Sequence, residues 1–195
     1  MIEWQWRGVT LRLSIWFPLA AVVLLSLDPT HTTELCLTAS LLHEMGHALA
    51  MFAVHDRPKR ITMGFFGMRV ERAQLHRMSY RAACTVSLAG PFVNVLGFTL
   101  YLLLGIPGAA AVHALIGGFN LLPIRSLDGG EALYTVLCMR YEEEQADKVL
   151  TVISLLTVIP LSVLGMWLFW GSRYNFSLLA VSAYLILLIF IEHKH

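Results

Sequence analysis

Leu41-Leu42-His43-Glu44-Met45-Gly46-His47-Ala48-Leu49 decides how the rest of the chain is read, because it sets three ionisable groups inside a run apolar enough to lie in a membrane. An α-helix turns about 100° per residue, so side chains at i and i+4 share a face, one turn apart. His43 and His47 can therefore grip one metal ion. Glu44 projects beside that face, where a carboxylate can take a proton from a water that the metal activates. This is the H-E-x-x-H arrangement. So short a pattern recurs by chance in soluble chains, but an Asp, Lys or Arg within a bilayer span costs about 2.5–3.5 kcal/mol and is rare there without a partner or a function. A metal site is the expectation, and a coincidental polar cluster is the alternative. The motif does not name the third ligand: the position six residues past His47 is Ala53, and a Glu some way downstream could only be Glu71, in a basic, polar stretch.

The composition agrees with a membrane setting. Of 195 residues 57% are hydrophobic and 14% charged, against about 45–50% and 25% in soluble domains. The formal net charge of +1, with its basic residues confined to particular loops, leaves no footprint for nucleic acid. Cys36, Cys84 and Cys138 are dispersed, with no C-x-x-C pair, and read as packing residues rather than as disulfides or thiolate ligands.

Working outward in both directions, the pattern predicts an α-helical integral membrane protein of about six transmembrane helices, with a small β-sheet or hairpin at the membrane surface. Val9-Thr10-Leu11-Arg12-Leu13 alternates like a half-buried strand, and Ser14 to Leu27 reads as a first span. Thr32-Thr33-Glu34 can cap the motif helix, expected from about Leu35 to Val54, and Gly46 within it lets another backbone come close. Residues 59–78 read as two short strands around a glycine-containing turn, forming a small sheet with Val9 to Leu13. The third span covers about Tyr80 to Leu104 and contains Ala89-Gly90-Pro91-Phe92-Val93-Asn94, a small-residue break followed by a buried amide. After a tight turn at Gly105-Ile106-Pro107-Gly108, a short fourth helix starts near Ala109 and stops at Asn120-Leu121-Leu122-Pro123. Arg125-Ser126-Leu127-Asp128-Gly129-Gly130 is expected to be non-helical and, at membrane depth, to line the site. Glu131 to Arg140 reads as a short helix, Tyr141 to Gln145 as a solvated acidic patch, and Val149 to Trp170 and Phe176 to Ile191 as the last two spans. The expectation is one polytopic domain over 1–195, with its motif-bearing core at about 9–140 and further spans at about 149–191.

Placing both termini in the cytoplasm puts every Lys and Arg but Arg173 on the cytoplasmic side, which is the orientation the positive-inside rule selects. The motif histidines then lie in the cytoplasmic half. For the third ligand the residues offer Asp128, His113, Glu131 and Asp56. Asp128 leads on position, after the broken fourth helix and on the side toward which the motif leans.

Three motifs together resemble the site-2 proteases, the intramembrane zinc metalloproteases of regulated intramembrane proteolysis. They are His43-Glu44-Met45-Gly46-His47, Ala89-Gly90-Pro91-Phe92-Val93-Asn94, and Asn120-Leu121-Leu122-Pro123 continuing to Leu127-Asp128-Gly129, which matches the Asn-x-x-Pro…Leu-Asp-Gly pattern of that family. The resemblance implies one Zn2+ per chain held by His43, His47 and Asp128, with Glu44 as the catalytic carboxylate. It implies that Asn120 and Asn94 contact the substrate or organise the site. Arg125-Ser126 stands where relatives often carry prolines, and Met63-Gly64-Phe65-Phe66-Gly67 replaces a proline-glycine-glycine loop. The compact form looks most like the small sporulation-type members, which implies a bacterial cytoplasmic membrane.

The expected activity is hydrolysis of membrane-anchored protein substrates in or near the bilayer. A helix hides its amides in internal hydrogen bonds, so the substrate must be presented extended. Gly64-Phe65-Phe66-Gly67 is expected to supply an edge strand or membrane-dipping turn that pairs with it. With no PDZ or CBS segment in the sequence, regulation is expected from a partner membrane protein or from the substrate itself. The alternative is a zinc-binding membrane protein without protease activity, a pseudoprotease or a metal transporter, in which Glu44 would have no task.

Overall fold

The structure is a computed structural model that describes residues 2–6, 9–13, 22–23, 25–55, 58–64, 67–72, 79–172 and 176–192. Most of the first expected span, together with Asp56, Phe65, Phe66 and Arg173, lies outside the described residues. The chain is mostly helical and divides into two compact units, Met1–Phe119 and Asn120–His195.

The first unit opens with strands β1 (Ile2–Trp6) and β2 (Val9–Leu13), followed by helix α1 (Thr32–Ala53). Strands β3 (Pro58–Gly64) and β4 (Gly67–Arg72) come next, then helices α2 (Tyr80–Leu103) and α3 (Pro107–Asn120). The sheet order is β1-β2-β3-β4, antiparallel at both edges and parallel in the middle, where Thr10 pairs with Arg60 and Leu13 with Met63. Among the described residues β4 is therefore an edge strand, and it touches α1.

The threonines expected to cap α1 do not do so. His31, in the left-handed region at φ 58°, is the N-cap and makes no side-chain cap. Asp28 reaches forward instead, accepting the Thr33 N–H and, at 2.8 Å, the Thr30 N–H, so a carboxylate meets the positive end of the helix dipole. The two faces of α1 then differ sharply. Ala39, His43, Gly46, His47 and Met51 are buried, while Leu41, Met45, Leu49 and Phe52 are exposed on the opposite, apolar side. The buried stripe packs on α2, which answers with Ala83, Val86, Ser87, Gly90, Pro91 and Asn94. Helix α2 runs on through Pro91, although proline leaves one carbonyl without its helical donor. It stops at Gly105, where φ is 71° and Ile106 N–H returns to Tyr101 O at 2.9 Å, a Schellman close that only glycine enters freely. Pro107 then opens α3, at the position where its missing N–H costs nothing.

The second unit contains α4 (Asp128–Cys138), α5 (Glu143–Ser172) and α6 (Ser177–Glu192). The stretch expected to be non-helical through Gly130 is shorter than its glycines suggest, because α4 already begins at Asp128. The acidic run is exposed, as expected of a solvated patch, and its Glu143 and Glu144 form the first turn of α5, where carboxylates suit the dipole. Among the described residues three helices are long and apolar enough to cross a membrane: α1, α2 and residues Glu143–Gly171 of α5. A shorter apolar helix covers Ser177–Ile189.

Candidate metal centre

His43 and His47 meet one turn apart on α1, each nearly inaccessible to solvent, with their Nε2 atoms 3.2 Å apart. Two nitrogens held at about 2.0–2.1 Å by one tetrahedral ion lie about 3.3 Å from each other. The spacing of the pair suits two ligands on one centre, as it also suits a hydrogen bond between the rings. The opposite ring nitrogens are both taken: His47 Nδ1 donates to Val86 O at 2.8 Å, and His43 Nδ1 faces the Asn94 side-chain amide at 2.8 Å. A backbone carbonyl can only accept, so the His47 hydrogen is fixed on Nδ1 and its Nε2 lone pair is left for a metal.

Two glycines make room for this. A Cβ on Gly46 would lie 2.7 Å from Ala89 O and 2.8 Å from Val93 Cγ2, so α1 and α2 come this close only because residue 46 has no side chain. A Cβ on Gly90 would strike Nε2 of His47 and sit 2.7 Å from Nε2 of His43. Gly90 therefore keeps open the space in front of both ligand nitrogens. Its role escaped the sequence reading, in which Gly90 was part of a helix break. The signal was there in the four-residue spacing Val86, Gly90, Asn94, which puts the acceptor for His47, the open position and the partner of His43 on one face of α2.

Asp128 is the first residue of α4, half-buried, with Leu127 as the N-cap. Gly129 and Gly130 explain why the helix can start there. A Cβ on either would run into the backbone of the preceding turn, Leu121 and Leu122 for the one and Ile124 and Arg125 for the other. The turn thus folds directly against the helix end. It is also tied to α5: Ser154 Oγ accepts the Arg125 N–H at 3.0 Å and donates to Pro123 O at 3.4 Å, while the Arg125 guanidinium pairs with Asp147 and donates to Thr151 Oγ1 at 3.3 Å. The sequence reading missed this anchor and took Arg125 only as a departure from proline.

Of the other candidate residues, Glu44 is half-buried beside His43, and Asn120 ends α3. Glu131 lies in the first turn of α4. Gly64 and Gly67 are cross-strand partners at the end of the β3–β4 pair, on either side of Phe65 and Phe66. His113 is buried on α3, with Nδ1 3.0 Å from Asn94 Oδ1 and its ring stacked on Tyr101. Among the described residues, His43, His47 and Asp128 form the group able to hold a metal ion, and two imidazoles with one carboxylate fit a single zinc.

No protein-family model matches the chain. Its sequence is similar to a candidate zinc metalloprotease of Synechocystis sp., at 33% identity over 118 residues that make up 54% of this chain and 31% of the relative. It is also similar to a zinc metalloprotease of Methanocaldococcus jannaschii, at 24% identity over 73% of this chain and 47% of the relative. The chain thus spans between a third and a half of the length of these curated relatives. Among solved structures it matches the site-2 protease from M. jannaschii with a TM-score of 0.63, at 20% identity over 94% of this chain and 91% of that one. The fold is that of a site-2 protease, and the chain is a membrane protein of that architecture with a zinc-type donor set.

Proposed function

We propose that the chain is an intramembrane zinc metalloendopeptidase that cuts membrane-anchored proteins in or near the bilayer, with His43, His47 and Asp128 as metal ligands and Glu44 as general base. The observation that carries this reading is the His43–His47 pair, whose Nε2 atoms stand 3.2 Å apart and look onto the gap left by Gly90. Bound zinc supplies a Lewis acid that polarises the scissile carbonyl and lowers the pKa of water toward about 7. Glu44 takes the proton of the attacking water and later delivers it to the leaving amine nitrogen. Val86 O holds His47 in the tautomer this requires.

The peptide is presented in extended form. The place of β4 at the end of the described strand order, beside α1, supports strand addition there, with Gly64 and Gly67 paired at its end and Phe65 and Phe66 between them in sequence. Asn120 serves the substrate side of the site. The topology that goes with this reading has six spans, both termini in the cytoplasm of a bacterial cell and the sheet at the membrane surface, supported by the distribution of Lys and Arg. Glu44→Gln preserves volume and removes the base. Purified Glu44→Gln should keep its zinc and lose cleavage of a membrane-anchored substrate by several orders of magnitude. Near-wild-type turnover would exclude the role of Glu44, and zinc binding without any cleavage in the wild type would point to the non-proteolytic alternative.

A further inference from the structure

His43, Asn94 and His113 form a buried chain of hydrogen bonds that the hydrolytic chemistry does not use, each of the three almost fully shielded from solvent. Asn94 Nδ2 lies 2.8 Å from His43 Nδ1, and Asn94 Oδ1 lies 3.0 Å from His113 Nδ1. With the amide in this sense, Nδ2 donates to His43 Nδ1, so the hydrogen of His43 sits on Nε2, directed at His47 Nε2. His113 must then carry its own hydrogen on Nδ1, to donate to Asn94 Oδ1. A histidine that binds metal through Nε2 needs the reverse, with its hydrogen on Nδ1 facing an acceptor. Turning the amide by about 180° about its last bond provides that acceptor, since its oxygen and nitrogen ends are nearly isosteric. Nδ2 then faces His113, whose Nδ1 must accept and whose hydrogen moves to Nε2.

The surroundings hold both side chains in place. A Cβ on Gly117 would lie 2.9 Å from Asn94 Cβ, and one on Gly97 would lie 2.5 Å from His113 Nδ1, so both side chains are wedged against backbone. Tyr101 holds the other face of the His113 ring, with centroids 5.5 Å apart.

We propose that Asn94 and His113 are positioning residues for the metal site: the sense of the Asn94 amide sets the tautomer of His43, and His113 changes tautomer in step with metal binding. The proposal rests on the metal reading above. Each ring keeps one hydrogen, and only its position changes. His113 is thus no ligand but a reporter and lock, one amide removed from the metal.

The test is nitrogen NMR of histidine-labelled full-length protein in detergent, titrated with zinc, alongside zinc affinities from competition with a chelator. Zinc should perturb the Nε2 signals of His43 and His47 and convert His113 from the Nδ1–H to the Nε2–H form. Asn94→Leu, which fills the space without hydrogen bonds, should weaken zinc about 10–100-fold. Asn94→Asp accepts from both rings at once, so it should restore affinity while His113 stays in the Nδ1–H form with zinc bound. An unchanged His113 tautomer in zinc-loaded wild type, or wild-type affinity in Asn94→Leu, would overturn the relay and leave the metal site standing. Absence of any zinc effect on His43 and His47 would instead remove the metal reading itself.

Discussion

Gly90 is the residue at which the smallest change has the largest expected effect. An added methyl would occupy the space in front of both Nε2 atoms, 2.7 Å from that of His43, in a stretch where helix backbone cannot yield. Gly90→Ala should therefore abolish zinc binding while leaving every ligand in the sequence, whereas Gly108→Ala, with nothing within 4 Å, should leave it unchanged. Metal analysis of the two purified variants checks this. Asp28 gives a pH-dependent counterpart outside the membrane. The Thr30 hydroxyl, then the Thr33 and Thr30 backbone N–H groups, hold its carboxyl well below the usual carboxylate range. A depressed folded-state pKa stabilises above the unfolded value, here about 3.9, and the benefit is lost as pH falls below it toward the folded value. Hydrogen exchange in the first turn of α1 should thus differ between wild type and Asp28→Asn fully at pH 7 and progressively less below about pH 4. A constant difference across that range would remove Asp28 from its capping role.

Between helices, the quantity that matters is the distance between α1 and α2. Gly46→Leu places a side chain where Ala89 O and Val93 stand and should cost about 1–3 kcal/mol by overpacking, with zinc affinity falling although no ligand is touched. Met45→Leu, on the exposed face of the same turn, should be neutral in both detergent stability and zinc affinity. In the second unit, Arg125→Met breaks the tie to Asp147 and Thr151 and should cost about 1–3 kcal/mol of local stability, read as faster exchange across residues 121–128. The sequence announces α1 and α2 well, because apolar length and an i, i+4 pair of histidines are local properties. It announces the start of α4 poorly: Gly129-Gly130 reads as a breaker by propensity, yet serves here as clearance for the turn at Leu121–Arg125, which is a tertiary fact. Likewise Thr32 and Thr33 look like caps by composition, but Asp28 performs that task from four residues before the helix.

For the whole molecule, the roles proposed for His43, Glu44, His47 and Asp128 come from the sequence, because residue types and order carry the chemistry. Those of Gly90, Val86 O and the Asn94–His113 pair do not, since each acquires its meaning only when a second helix lies against α1. The central claim is that one zinc is held by two imidazoles of α1 and one carboxylate at the start of α4. Leu127, not Asp128, is the N-cap of α4, so Asp128→Ala leaves the capping residue in place, and its zinc content is read beside its thermal stability so that ligation and folding are told apart. Ser182→Ala is the comparison, because it removes a buried polar group that the account places outside the metal site and its supports. Zinc per chain should be measured on wild type and both variants after saturation and desalting in the same detergent. The account predicts one zinc in wild type, close to one in Ser182→Ala and a loss of most of it in Asp128→Ala. Full occupancy in Asp128→Ala, equal to that of wild type and Ser182→Ala, would contradict it.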